Sequence, residues 1–223
     1  LHVGGPDTQL TWMDAMADGR PDTPRNGCPV EINALWYNSL VFGANLARSV
    51  GEEAPQPYTL AADMPAEFIR RFLVACEHGR YLADVWSENG HDVSLRPNQL
   101  FAVGLPFSIL EETFQQEVVQ AVKEHLLTPY GLRTLAPFDP AYRGLYQGGP
   151  SSRDSAYHQG TVWPWLLGIY GDSVLKTAHD AEEAAADLLH VITPLLTEHL
   201  CDAGIGGISE IFGGDEPHCP DGC

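Results

Sequence analysis

Lysine is nearly missing from these 223 residues: Lys123 and Lys176 are the two lysines among 12 cationic side chains, set against 30 acidic ones. The resulting net charge of −18 excludes partners that carry dense negative charge of their own. Nucleic acids and anionic membranes would both be repelled, whereas a neutral ligand is indifferent to such a field. Long apolar runs are absent too. Apolar residues make up 44% of the chain, yet no stretch approaches the roughly 18 that a membrane span needs. No secretory signal opens it. The five cysteines, at 28, 76, 201, 219 and 223, are an odd set, which favours reduced thiols in a cytoplasmic protein over a disulfide framework.

Several chemistries drop out for want of their motifs. His218-Cys219 followed by Cys223 is half of a zinc pattern, but no second pair stands at ligand spacing, so no metal is expected. No cofactor is expected either, because no loop ends in Gly-Lys-Ser/Thr and no G-x-G-x-x-G follows a strand. Gly204-Ile205-Gly206-Gly207 comes after a helix, where C-terminal capping is the simpler account. There is no G-x-S-x-G elbow, and no cysteine has a local His partner.

Period-2 alternation is almost absent, so strands are expected to be short ribbons at most. Helical spacing is abundant. It predicts helices over 31–50 (Ile32, Leu35, Trp36, Phe42, Leu46) and over 65–86, behind Asp63 as N-cap with Pro65 in the first turn. A further one or two helices are expected over 98–127, broken near Pro106, with Phe114, Val118 and Val122 at i+4. The segment 161–175 is apolar nearly all round, and 181–200 carries Leu188, Leu189, Ile192, Leu195 and Leu196 as a stripe. Successive helices separated by loops imply an all-α array of helical hairpins. The length suits a single core. A start at Leu1-His2-Val3 without Met, and a stop at Asp221-Gly222-Cys223, lead us to expect one domain truncated at both ends.

Two loops, 4–29 and 128–160, are long, rich in Gly, Pro, Asp, Arg and Tyr, and poor in aliphatics. Loops of more than about 12–15 residues without regular structure usually serve function. In the first lies TWMDA, where Asp14 has two readings: the N-cap of a helix, or an acid beside Trp12 and Met13. Glu210 sits in GIGGISEIF, again among apolar neighbours. An apolar surround penalises the ionised form of a carboxyl group, as a general acid requires, and glycosidic cleavage needs two carboxyl groups in opposite roles. Tyrosines and tryptophans crowd the same loops. Sugar C–H faces stack on such rings, and RDSAYHQG (153–160) supplies groups for sugar hydroxyls. Core packing is the competing account of the tryptophans, and for Trp163 and Trp165 the favoured one.

The stretches GPDTQLTWMDA, TPRNGCPVEINALWYNSL, RPNQLFAVGLP, LLTPYGLRTLAPFDPAYRGLYQGGPSSRDSAYHQGTVWPWLLGIY and GIGGISEIFGGDEPHCPDGC together resemble, in this order, the catalytic domain of glycogen-debranching enzymes, the amylo-α-1,6-glucosidase module. The resemblance implies an (α/α)6 toroid of helical hairpins, present here as a partial barrel, with the active site in the loops at one end. It implies inverting hydrolysis of α-1,6-linked glucose at branch points of glycogen or a related α-glucan. Asp14 would be the general acid and Glu210 the general base. Substrate contacts are expected from Trp36, Tyr37 and Asn38, from Arg96 and Asn98, and from Asp154, His158 and Gln159, with Trp12 and Trp163 as stacking walls. Glu31 and Asp139 remain rivals for a catalytic role. Two alternatives stay open: a glucan-binding fragment without turnover, and an α-glucosidase, trehalase-like or phosphorolytic enzyme on the same barrel.

Overall fold

The computed structural model describes residues 1–5, 7–203 and 206–222. A hairpin of β1 (Met16–Ala17) and β2 (Arg20–Pro21) precedes β3 (Cys28–Pro29) and the long α1 (Val30–Ser49). The turns α2 (Gln56–Thr59) and Leu60–Ala62 lead into α3 (Met64–Phe72). Then come β4 (Leu73–Cys76), β5 (Gly79–Leu82), β6 (Val85–Ser87) and β7 (Gly90–Asp92). A 3-10 turn, Pro97–Leu100, runs into α4 (Phe101–Gly104), followed by α5 (Glu112–His125), β8 (Leu127–Thr128), β9 (Gly131–Arg133) and α6 (Pro150–Asp154). After β10 (Val162–Trp163) the chain forms α7 (Leu167–Thr177), α8 (Ala181–Thr197) and α9 (His199–Asp202), and ends in β11 (Ile211–Phe212) and β12 (Pro220–Asp221).

Helices α1, α4, α5 and α7 pack on one another, and α8 lies against α7. Their shared core includes Ala34, Leu100, Val103, Val118, Val122, Leu166 and Tyr170, all nearly inaccessible to water. Burying side chains of this size contributes about 1.5–3 kcal/mol each. Val118 and Val122 reach this core because they recur at i+4 on α5, as their spacing requires.

Helix outweighs strand, as expected, but the chain is not all-α. Every strand is two to four residues long, and the strands pair antiparallel in four small sheets among the described residues. The largest has the order β12-β11-β10-β9-β8. It stitches segments from the middle and the end of the chain, a pairing that no local pattern announces.

Three helix predictions are corrected. The helix expected over 65–86 stops at Phe72, because Gly79 at φ +102 allows the chain to turn back and pair β4 with β5. Asp63 occupies the N-cap position of α3 without making a side-chain cap bond. The helix expected over 161–175 begins later, at Leu167. Trp163 precedes a proline, is extended at φ −117 and ψ 114, and pairs in β10 instead. The stripes on α1 and α8 are only partly inward. Phe42, Leu46, Leu189 and Leu196 are exposed, while Ala34, Leu40, Ala184 and Leu195 are buried. The break near Pro106 lies where expected, between α4 and α5. Gly204, Ile205 and Cys223 lie outside the described residues, and with them the full capping turn and the third zinc-pattern residue. The His218 ring is tied to the Gly213 carbonyl at 2.8 Å.

Candidate active site

TWMDA is an extended turn whose residues alternate in environment. Met13 is buried, Trp12 is half-buried and Asp14 is exposed. Asp14 leads into the β1–β2 hairpin rather than into a helix, so the capping role is excluded. The hairpin turns at Asp18 (φ 50) and Gly19 (φ 77), the paired positive φ values of a type I′ turn. Ser151 Oγ at the start of α6 donates to Asp18 Oδ2 at 2.8 Å, which docks the hairpin onto the RDSAYHQG segment.

Trp12 is the hub of an aromatic cluster. Its ring meets His158, Trp163 and Trp165 edge-on, with centroids at 5.3, 5.6 and 5.1 Å. His158 stacks on Trp163 at 5.3 Å, and Tyr157 meets Trp163 edge-on at 4.9 Å. Trp163 itself is buried, so it packs the wall from behind, whereas Trp165 is 47% exposed. Trp165 lines a groove of about 600 Å³ with Leu167, Ile192, Leu196 and Ile208, and Glu210 sits at its rim.

Glu210 is brought here by the central sheet. It immediately precedes β11, where Phe212 pairs with Val162 of β10, one residue before Trp163. Burial first, then Glu210 and more distantly Asp14, push the Tyr157 phenol above its usual range, so it stays a protonated donor. Tyr157 therefore lies within electrostatic range of both Glu210 and Asp14. Both carboxylates are exposed rather than enclosed by apolar side chains.

Beneath Trp12 runs a buried charged network. Trp12 Nε1 donates to Asn98 Oδ1 and Asn98 Nδ2 to Asp84 Oδ1, both at 2.7 Å. Asp84 also accepts from Arg25 Nε at 2.6 Å and Nη2 at 2.8 Å. Arg25 forks onto Glu31 as well, with Nη2 at 2.6 Å from Oε2. Burial alone would lower the Arg25 pKa, but Asp84 and Glu31 outweigh it and raise it instead. Arg96 closes the layer. It donates to the carbonyls of Thr134 (3.0 Å) and His158 (2.7 Å) and to Gln159 Oε1 (2.7 Å), with Nε 3.6 Å from Asp84. Its pKa is lowered by burial, which Asp84 and Asp92 only partly oppose.

The His158 ring is almost completely buried, and neither nitrogen has a hydrogen-bond partner among the described residues. Burial, then the nearby Arg96 and Arg25 guanidiniums, push it down to about 3, so it is neutral at any working pH. Asp22, just past the hairpin, has its pKa raised by burial and by Asp154, against the pull of Arg143 and Arg96. A close backbone contact seals the far side. A Cβ at Gly160 (φ +142) would stand 2.6 Å from Tyr142 Cε2, and Gly214 donates to the Gly144 carbonyl at 2.6 Å.

A family model described as amylo-alpha-1,6-glucosidase matches residues 1–223. The chain belongs to the amylo-alpha-1,6-glucosidase family. It is also similar to the glycogen debranching enzyme of Saccharomyces cerevisiae, 26% identical over an alignment of 211 residues that takes in 76% of this chain and 14% of that protein. The chain thus spans about 14% of the length of that curated relative.

Within this amylo-alpha-1,6-glucosidase domain, the residues read from sequence fall into three groups. Asp14, exposed two residues after Trp12, and Glu210, on the groove that Trp163 and Trp165 line, adjoin the aromatic cluster of Trp12, His158 and Trp163. Arg96, Asn98 and Gln159 form its floor; the first two are buried and hold neighbouring protein groups. Asp154, half-buried at the end of α6, lies near Asp22 and Tyr146. Trp36, Tyr37 and Asn38 sit on α1 away from this cluster. Trp36 lines a separate apolar groove with Met64 and Phe68, Tyr37 packs against the helical core, and both ends of the Asn38 amide bond Phe107 backbone at 2.8 and 2.9 Å. The rivals are occupied too: Glu31 by Arg25, and Asp139 by the Ala141 N–H at 2.8 Å.

Sequence reasoning missed four participants. Asp84 and Arg25 left one signal, an acid alone in the apolar run YLADVW, which only a buried counter-charge makes tolerable. Tyr157 was one more aromatic in a crowded loop. Trp165 reads as a core residue in sequence because the apolar run around it suggests a helix that starts before Leu167.

Proposed function

We propose that this domain hydrolyses the α-1,6-linked glucose at a branch point of an α-glucan by single-step inversion. Asp14 protonates the departing glycosidic oxygen while Glu210 takes a proton from water attacking the opposite face of C1. The reading is supported by the aromatic wall of Trp12, His158 and Trp163 next to Asp14, with Glu210 on the groove that Trp163 and Trp165 line. An inverting pair stands about 6.5–9.5 Å apart to leave room for that water. Trp12 offers an edge for the glucose ring to pack against. The exposed Trp165 and its groove offer a platform for the glucan chain that leaves. A neutral substrate also suits a surface of charge −18. We place the domain, cytoplasmic in this reading, in an (α/α)6 ring; the exposed apolar residues of α1 and α8 are faces that neighbouring hairpins would cover.

The test is direct. In the complete gene product, Asp14→Asn and Glu210→Gln should each lower kcat on limit dextrin by at least about 100-fold, the scale of general acid–base catalysis. Proton NMR of the first product should show β-glucose. Near-full activity in either variant, or initial release of the α-anomer, would overturn the assignment.

A further inference from the structure

Helix α5 is polar where it does not face the core. Val118 and Val122 are buried, whereas Gln116, Gln120 and Glu124, spaced four apart and so on one face, line a cavity of about 680 Å³ between the helix and the β4–β5 hairpin. Glu117 of the helix and His78 and Arg80 of the hairpin line it as well. The cavity shares no lining residue with the groove at Trp165. Arg80 donates to Glu117 Oε1, while Glu117 Oε2 is buried without a hydrogen-bond partner among the described residues. An acceptor left unmet away from water is costly, so a donor that reaches it is favoured.

An aromatic stack adjoins the cavity at His78. The His78 ring lies on Phe138 at 3.7 Å with the planes 13° apart, and His125, the last residue of α5, meets both edge-on at 5.7 and 5.2 Å. These contacts fix the Phe138 ring, yet it remains 40% exposed. The charges narrow the ligand class. Arg80 is set against Glu117 and Glu124, so the wall has no positive excess with which to hold a phosphate or an acidic peptide. Amides, carboxylates and a guanidinium together offer both donors and acceptors, which suits a chain of neutral hydroxyls, and Phe138 offers a surface for sugar C–H groups. The volume lies in the range of roughly 300–1,000 Å³ common to ligand sites.

We propose that this cavity and the adjoining Phe138–His78 stack form a second α-glucan-binding site, which holds one branch of the polymer while another is cleaved. The cavity's chemistry asks for a neutral polyhydroxyl chain; naming it an α-glucan rests on the function proposed above.

The experiment is hydrogen exchange on the complete gene product with maltoheptaose as the probe, repeated in Glu210→Gln. Maltoheptaose should slow exchange over residues 73–82 and along α5 as well as around Trp12 and Trp165. Protection confined to the latter region would overturn the proposal. Phe138→Ala and Gln120→Ala should each raise the Kd for limit dextrin about fivefold, the scale of one aromatic contact or hydrogen bond, and leave the turnover of α-glucosyl fluoride unchanged. Gln120 is exposed, so its variant should keep Tm within about 2 °C and stays informative if Phe138→Ala folds poorly. An unchanged Kd in Gln120→Ala and in folded Phe138→Ala, or an equal loss of α-glucosyl fluoride turnover, would overturn the second site. Active Asp14→Asn and Glu210→Gln variants beside protection over 73–82 would defeat the acid–base reading and leave this site standing. Protection nowhere would defeat both.

Discussion

Replacing Arg25 by Met keeps most of the side-chain volume and removes one guanidinium from a nearly water-free site. Its own side chain is 1% exposed, and those of Glu31 and Asp84 are 3% and 0%. The variant strands both carboxylates. Asp84 keeps Arg96, whose Nε lies 3.6 Å away, and Asn98; Glu31 loses its only ion-pair partner among the described residues. Breaking a buried pair this way costs about 3–5 kcal/mol, most of it the penalty of an uncompensated charge. For a domain of this size each kcal/mol moves Tm by about 2–4 °C, so the expected drop is roughly 6–20 °C. Calorimetry should show that drop. Arg25→Met/Glu31→Gln should recover part of it, since one stranded charge is gone. The same network anchors Asn98 and through it Trp12, so activity should fall even below the melting range. A Tm within about 2 °C of the parent would mean that water reaches these groups, and the energetic argument would fail.

Three further outcomes are expected. His158 has a folded value of about 3 against an ordinary 6.5, so its contribution is complete above 6.5 and is lost as the pH falls toward 3, where the unfolded chain alone takes up the proton. The gap in Tm between the parent and His158→Phe should therefore close over that window, and a pH-independent gap would contradict a neutral buried ring. Gly160→Ala, at φ +142 with its Cβ 2.6 Å from Tyr142, should cost about 1–3 kcal/mol in calorimetry. Gly149→Ala, at φ −73 with open space around it, should be neutral. Trp165→Ala should raise KM for limit dextrin about five- to tenfold, in line with loss of an aromatic platform. It should leave α-glucosyl fluoride, which lacks a departing glucan chain, unaffected; equal losses on both would remove Trp165 from the leaving-chain groove.

Much of the helical framework was legible because helical burial is a local, periodic property. Val118 and Val122 announce the inner face of α5 with no knowledge of what it packs against, and Pro106 announces the break before it. The failures share a cause. The segments expected as one helix over 65–86 and as an early start before Leu167 are apolar enough for helix or strand, and pairing across a turn or with distant residues decided between them. Val162 is a strand residue because Arg133 and Phe212 flank it, and neither is near it in sequence.

The site divides along the same line. Sequence alone supplied the family and the two candidate carboxylates of the proposed mechanism, since TWMDA and GISEIF are contiguous motifs whose residue types are readable in place. It also fixed the strongly acidic balance of the chain, because the excess of acids is a matter of counting. Only the tertiary structure decided which residues surround those acids. Arg96 and Asn98 belong to the floor, Trp36 and Asn38 to α1 and its neighbours, and Tyr157 to the space beside Glu210. Those assignments depend on a sheet that joins residues 127–133 to 220–221 and on charges that meet across some 60 residues of chain. Free energy of this kind resides in non-local burial and pairing, and no local window of the sequence contains both partners.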